Sequence, residues 1–246
     1  KDEKGFFYSR FPEPKPGEDF QSLNLNNEIR YHRLGAPQAE DALVFSRPDQ
    51  PTWGFGAGVM EDGRYLVISV YEGTDPKNLL LIQDLAEPGA KPREIVGEFA
   101  NQWSVIGNDG TTFYATTDFE APRRRIVSFD VRDGLKSLRE LVPQQAEVLE
   151  DAGMAGDFIF AQYLKDVRPL VRMLRTDGSL AREVALPGIG SAGGFGGRRR
   201  DRETFYTFAS FNQPATVYRL DLASGESKVF RRTEVDFDPS KYAVEQ

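Results

Sequence analysis

Apolar and aromatic residues in this chain fall in short runs separated by polar turns, and the runs recur. Five of them occupy residues 5–9, 62–68, 109–115, 156–160 and 204–208. Their aromatic centres, Tyr8, Tyr65, Tyr114, Phe160 and Tyr206, are spaced by 57, 49, 46 and 46 residues. A second strand-like run follows each, centred on Tyr31, Ile82, Ser128, Arg172 and Tyr218. A third lies at Leu43, Ile95, Leu141, Val184 and Val229. Four units also carry a small- or glycine-rich run ahead of the first, at 53–59, 103–107, 151–155 and 191–197. The first unit is expected to be incomplete, because the chain starts too late to include its counterpart.

Turn chemistry supports a strand reading. Asp62-Gly63, Asp109-Gly110, Asp133-Gly134, Asp177-Gly178 and Ser224-Gly225 offer the positive φ that tight hairpins need. Helical spacing is broken throughout by Gly, Pro or β-branched runs. The expectation is therefore an all-β chain with four antiparallel strands per unit. One such sheet cannot bury both faces alone, whereas sheets stacked radially cover each other. That accounts for the near-continuous apolar runs Leu66-Val67-Ile68 and Phe158-Ile159-Phe160. It also accounts for charged outer strands such as Arg93-Glu94-Ile95-Val96-Gly97-Glu98 and Arg182-Glu183-Val184. The pattern predicts a β-propeller of about five blades in a single domain. Approximate blade limits are 1–48, 49–100, 101–144, 145–189 and 190–236. Residues 237–246 are either a strand that closes the first blade, through Tyr242 to Glu245, or a linker stub.

Composition narrows the function. The chain has 246 residues and a formal net charge of −7, which argues against a nucleic-acid partner. No run approaches the length of a membrane-spanning helix, and no signal peptide is legible. Cysteine is absent, which removes disulfides, thiolate nucleophiles and cysteine-ligated zinc. The single histidine, His32, leaves little room for imidazole-based metal sites.

Several motifs tempt a chemical reading. Ser191 has Gly193 after it but Ile189 before it, so the Gly-x-Ser-x-Gly nucleophile elbow fails. Gly188, Gly190 and Gly193 spell G-x-G-x-x-G, yet they precede a strand and fit close packing at a propeller axis better than a dinucleotide site. His32 alternates with Tyr31 and Arg33 and reads as a structural or surface residue. Asp84, Asp130 and Asp221 recur just before turns, where an Asp side chain bonds local backbone N–H groups. Arg123-Arg124-Arg125 and Arg198-Arg199-Arg200 read as solvated strand ends. No metal site, cofactor or catalytic residue is expected.

A family resemblance covers nearly the whole chain. Its segments are Phe7-Tyr8-Ser9-Arg10-Phe11-Pro12, Tyr31-His32-Arg33-Leu34-Gly35 running to Asp41, and Trp53 followed by Asp62-Gly63-Arg64-Tyr65. They continue with Glu72-Gly73-Thr74-Asp75-Pro76, Phe205-Tyr206-Thr207-Phe208-Ala209-Ser210-Phe211, Val217-Tyr218-Arg219-Leu220-Asp221-Leu222 and the terminal Asp-Pro-Ser-Lys-Tyr. In this order they resemble the propeller domain of the prolyl oligopeptidase family. The resemblance implies a seven-bladed propeller inserted into an α/β-hydrolase peptidase domain that cuts short peptides after proline. It implies that this chain is about the last five blades, a non-catalytic filter on substrate size, excised or engineered from a soluble cytoplasmic or periplasmic parent. It also implies substrate-proximal positions at Tyr71 and Thr74. Where the family has Met after the Trp, an Arg before Glu-Gly and a Cys after it, this chain has Gly54, Tyr71 and Thr74, so the lining should differ in character.

Two other readings stay open. One is a free-standing five-bladed propeller acting as a binding or scaffold module. The other is a propeller glycosidase built on paired carboxylates near the axis.

Overall fold

The computed structural model describes residues 4–14, 16–17, 21–236, 241–242 and 244. Among these the chain is all-β, with short 3-10 turns at Gln38–Glu40 and Gly134–Ser137. The first sheet holds β1 (Gly5–Arg10), β2 (Glu28–Arg33) and β3 (Ala42–Ser46), in that order. The second holds β4 (Trp53–Val59), β5 (Tyr65–Glu72), β6 (Asn78–Asp84) and β7 (Arg93–Val96). The third holds β8 (Trp103–Asp109), β9 (Thr112–Thr117), β10 (Arg125–Asp130) and β11 (Arg139–Val142). The fourth holds β12 (Val148–Ala155), β13 (Phe158–Lys165), β14 (Arg168–Arg175) and β15 (Leu180–Glu183). The fifth holds β16 (Ser191–Gly196), β17 (Glu203–Ala209), β18 (Thr216–Asp221) and β19 (Ser227–Arg232). Each sheet is a meander in chain order, as the repeat predicts, and the first has three strands among the described residues. Of the expected closing strand, positions 243 and 245 lie outside the described residues. Tyr242 and Val244 are in no strand, and the Tyr242 carbonyl accepts a hydrogen bond from Asn212 Nδ2 at 2.6 Å.

The chain forms two compact units, Lys1–Phe119 with Ser128–Leu138, and Glu120–Val127 with Arg139–Gln246. In the first unit, Leu66, Ile68 and Val70 on one face of β5 join Phe55, Leu79, Leu81 and, from the first sheet, Ile29 in one core. Tyr65, on the opposite face of β5, meets Phe113 of β9 edge-on at 5.2 Å. Burial on both faces is why this strand has no polar alternation. Each fully buried Phe, Leu or Ile contributes about 1.5–3 kcal/mol. Two buried asparagines join successive sheets. Asn27 Nδ2 donates to the Arg10 carbonyl, and its Oδ1 accepts the Phe55 N–H at 2.9 Å. Asn78 Oδ1 accepts the Trp103 N–H at 2.8 Å.

In the second unit, Phe160, Phe195, Tyr206 and Tyr218 form one continuous stack across the fourth and fifth sheets, with ring centroids 5.7, 4.6 and 5.2 Å apart. Phe195 is the extra residue of a bulge between Gly194 and Gly196 and holds φ +63°, a backbone that favours glycine. Its ring is fully buried, so packing outweighs the backbone cost of about 1–2 kcal/mol.

The outer strands depart from the expectation of simple solvation. Arg93 donates to the carbonyls of Val131 and Arg132 in the next sheet's turn. Arg182 does the same to Ala223 and Ser224. The two arginines hold matching register positions, opposite Ile82 and Met173.

Candidate functional site

The two substrate-proximal candidates sit where β5 ends and turns into β6. Tyr71 is directly opposite Gly54 in the β4–β5 register. A Cβ built on Gly54 would clash with the outer edge of the Tyr71 ring, at Cε2, Cζ and the hydroxyl. The glycine is thus the seat of the aromatic, which packs over it and stays half-exposed, an arrangement that compensates a glycine in a strand. Gly54 and Tyr71 are therefore a coupled pair: the absence of a side chain at 54 makes room for the ring at 71. Beside them, Trp53 packs edge-on to Phe99 at 5.1 Å and carries the Arg47 guanidinium over its face at 4.8 Å. Asp49 holds that guanidinium through Nε and Nη2 at 2.7–3.2 Å, and the pairing holds the Asp49 carboxyl below the usual range.

The turn after Tyr71 is shaped locally. Gly73 takes φ +59°, and Asp75 Oδ1 accepts the Lys77 N–H at 3.0 Å, an Asx turn. Thr74 is exposed on this turn. The structure therefore joins Gly54 to Tyr71 and places Thr74 three residues further on, at the same end of the sheet.

That end has a character of its own. In a meander, the chain enters and leaves each sheet at the end that also carries the middle hairpin turn; we call it the connecting end. In the first unit it exposes Phe11, Leu23 and Tyr71. In the second it exposes Val148, Leu164, Val167 and Phe211, the last two at 80% and 102%. In the first unit the opposite end exposes as many, Phe6, Leu34 and Leu43, whereas in the second it exposes only Leu180 and Phe205 among the described residues and carries turns such as Asp177-Gly178-Ser179. Sequence reasoning missed this asymmetry. Single apolar residues in turns give no periodic signal, and only topology shows which turns share an end.

The other candidates resolve into structure. His32 Nδ1 lies 2.8 Å from Asp41 Oδ1, Asp41 Oδ2 accepts the Tyr8 hydroxyl at 2.6 Å, and the Phe6 ring sits 5.1 Å from the imidazole. Burial pushes Asp41 up, but the hydrogen bonds from Tyr8 and His32 outweigh it and bring the carboxyl below its ordinary value. Asp84, Asp130 and Asp221 accept the N–H groups of Ala86, Arg132 and Ser224, as local turn bonding predicts. Arg64 also pairs with Asp84, and Arg132 with Asp130, and these guanidiniums hold both carboxyls well below the carboxylate range.

Gly190 and Gly194 are closely packed against Ala209 and Phe205 carbonyls. Gly188 and Gly193 have open space where a Cβ would lie, so close packing explains only part of the G-x-G-x-x-G run. The first basic triplet is not solvated as expected. Arg125 pairs with Glu120 and Glu140 with its side chain 12% exposed, and Arg124 Nη1 donates to the Glu150 carbonyl. In the second triplet, Arg199 pairs with Asp157 at 3.0 Å.

Comparison with known proteins gives a consistent result. A family model described as the prolyl oligopeptidase N-terminal β-propeller domain matches residues 1–233. The prolyl endopeptidase of Elizabethkingia meningoseptica is 32% identical over 245 residues, covering 99% of this chain and 34% of that protein. The dual function macrocyclase-peptidase POPB of Galerina marginata is 30% identical over 256 residues, covering 100% and 35%. Among solved structures, a prolyl endopeptidase examined for inter-domain dynamics in catalysis and specificity has a TM-score of 0.86 at 36% identity, covering 96% of this chain and 34% of that one. Prolyl oligopeptidase B from Galerina marginata, bound to a 35mer hydrolysis and macrocyclization substrate, has a TM-score of 0.89 at 28% identity, covering 97% and 34%. The chain spans about a third of the length of the curated relatives it matches.

Proposed function

The chain belongs to the prolyl oligopeptidase N-terminal β-propeller family, and on that premise we propose that it serves as the gate of a proline-cleaving serine peptidase. It admits short peptides to an active site built on an α/β-hydrolase domain, keeps folded proteins out, and breaks no bonds itself. The observation that carries this reading is the difference between the two ends of the sheets in the second unit. An apolar connecting end suits contact with a second body, and a polar opposite end suits water.

Within the reading, Tyr71 and Thr74 are substrate-proximal. The Tyr71 ring offers a flat apolar face with a polar tip, suited to an apolar or aromatic residue near the scissile proline. A guanidinium at the same place would favour an acidic one.

An exchange tests the proposal. The matched segment of the Elizabethkingia meningoseptica endopeptidase is replaced by this chain. The hybrid should cleave a chromogenic proline peptide and leave a folded, proline-bearing protein intact. Equal rates on both would remove the gating role, and turnover by the purified chain alone would remove its non-catalytic character. In the hybrid, Tyr71→Arg should shift preference severalfold toward peptides with an acidic residue before the proline.

A further inference from the structure

The second unit carries a groove of about 470 Å³ at its connecting end, lined by Val167, Ile189, Ala209, Phe211 and Val244 among others. Two of these residues are hard to explain by folding alone. Phe211 is 102% exposed, in the turn between β17 and β18. Leaving a Phe in water forgoes all that its burial would contribute. Val167 is 80% exposed. It also holds φ +60°, next to Asp166 at φ +49°, in the two-residue turn joining β13 to β14. Two successive positive φ values define a turn in which glycine is preferred at the second position, and a β-branched residue there is strained. The chain thus keeps a strained, water-exposed Val where Gly would fold better, beside a Phe that is itself fully exposed. Backbone strain coinciding with an exposed apolar pair at one groove is the signature of a contact surface.

We propose that Val167 and Phe211 are the anchor by which the propeller docks on the peptidase domain. The proposal rests on the gating reading and deepens it by naming the contact. The occupant follows from two facts. The matched stretch is about a third of each relative, so a large body must be accommodated against the propeller. In addition, Val244 lines this groove and the Tyr242 carbonyl is bound by Asn212 at its edge. A body joined to the chain through this stretch would be tethered beside the groove, which raises its effective concentration there. An exposed Phe at the rim of an apolar groove suits the core of an interface, where aromatic residues are enriched and charged ones depleted.

Titration of the full chain with the separately produced peptidase domain of the Elizabethkingia meningoseptica endopeptidase tests the proposal, with thermal melting and light scattering run on each variant. The wild-type chain should bind, and Phe211→Ser should weaken binding at least tenfold with the melting temperature nearly unchanged. Val167→Gly gives the distinctive result. It should raise the melting temperature by a few degrees, because the turn is relieved of strain, while weakening binding severalfold. A residue kept only for folding would not move these two readouts in opposite directions. If the wild-type chain binds and both variants bind equally well, the anchor is wrong and the gating reading stands. If the wild-type chain does not bind, both fall. Variants that alter only self-association in light scattering would make a second copy of this chain the occupant and overturn the proposal.

Discussion

The Gly54–Tyr71 pair shows how little room a single position leaves. Because a Cβ on Gly54 would clash with the outer edge of the Tyr71 ring, Gly54→Ala displaces Tyr71, and since that ring is half-exposed the cost should fall below the about 1–3 kcal/mol of overpacking a closed core. With Tyr71→Ala already present, the same substitution should be neutral or stabilising, since Ala in a strand is favoured over Gly by about 0.5–1 kcal/mol. Urea unfolding of the four proteins in this cycle measures the coupling, and additive effects would disprove the seat-and-ring relation. Asp41 gives a pH signature. Its carboxyl is held below its ordinary value by Tyr8 and His32. It therefore contributes stability above the unfolded-state value of about 3.9, and that stability is lost as pH falls through the lower folded-state value. Asp41→Asn should be less stable than wild type at neutral pH and converge with it in acid. A gap that stays constant from neutral to acid pH would contradict the assignment.

At the scale of strands and sheets, hydrogen bonds at sheet ends are decisive. Phe55 and Trp103 sit in the first strands of their sheets, and their buried N–H groups find asparagine oxygens from the preceding sheet. Asn78→Leu keeps the branched shape of the side chain and leaves the Trp103 N–H without its partner, so about 1–3 kcal/mol should be lost. Arg93→Ala removes bonds that are exposed to water and should cost less. A loss from Arg93→Ala equal to that from Asn78→Leu, measured by chemical unfolding, would reverse this ranking. Strand order and turn positions were legible because alternation, Asp-Gly pairs and the repeat are local signals. The asparagine links were not, since Asn27 and Asn78 stand at no position that periodicity distinguishes. The arginine links at Arg93 and Arg182 were likewise hidden, because charge on an outer strand reads as solvation until a carbonyl of the next sheet is seen at its tip.

At the scale of the whole molecule, the fifth sheet differs from those inside the units. In β17 burial alternates, with Thr204, Tyr206 and Phe208 covered and Glu203, Phe205 and Thr207 exposed. Phe205 meets Phe230 edge-on at 5.0 Å on the uncovered side, and Phe230 is 61% exposed. A sheet face with paired aromatics, ending in a strand that has one partner strand among the described residues, favours association. The purified chain should self-associate with rising concentration, and high salt should not dissolve the contact, because it is apolar. Phe230→Lys should shift sedimentation toward the monomer. A monomer at every concentration tested would show that this face is adequately solvated.

The sequence by itself determined that the chain is all-β, that its strands form consecutive meanders, and where the hairpins turn. Those properties follow from side-chain alternation and turn stereochemistry, which act over a few residues. It also carried enough ordered motifs to point to the family. Tertiary structure alone decided that Gly54 is a seat for Tyr71, that Phe195 is held in a strained bulge by three stacked rings, and that Val167 and Phe211 meet at one groove. Those relations join residues about 11 to 44 positions apart in the chain, and only sheet register and packing between neighbouring sheets bring them together.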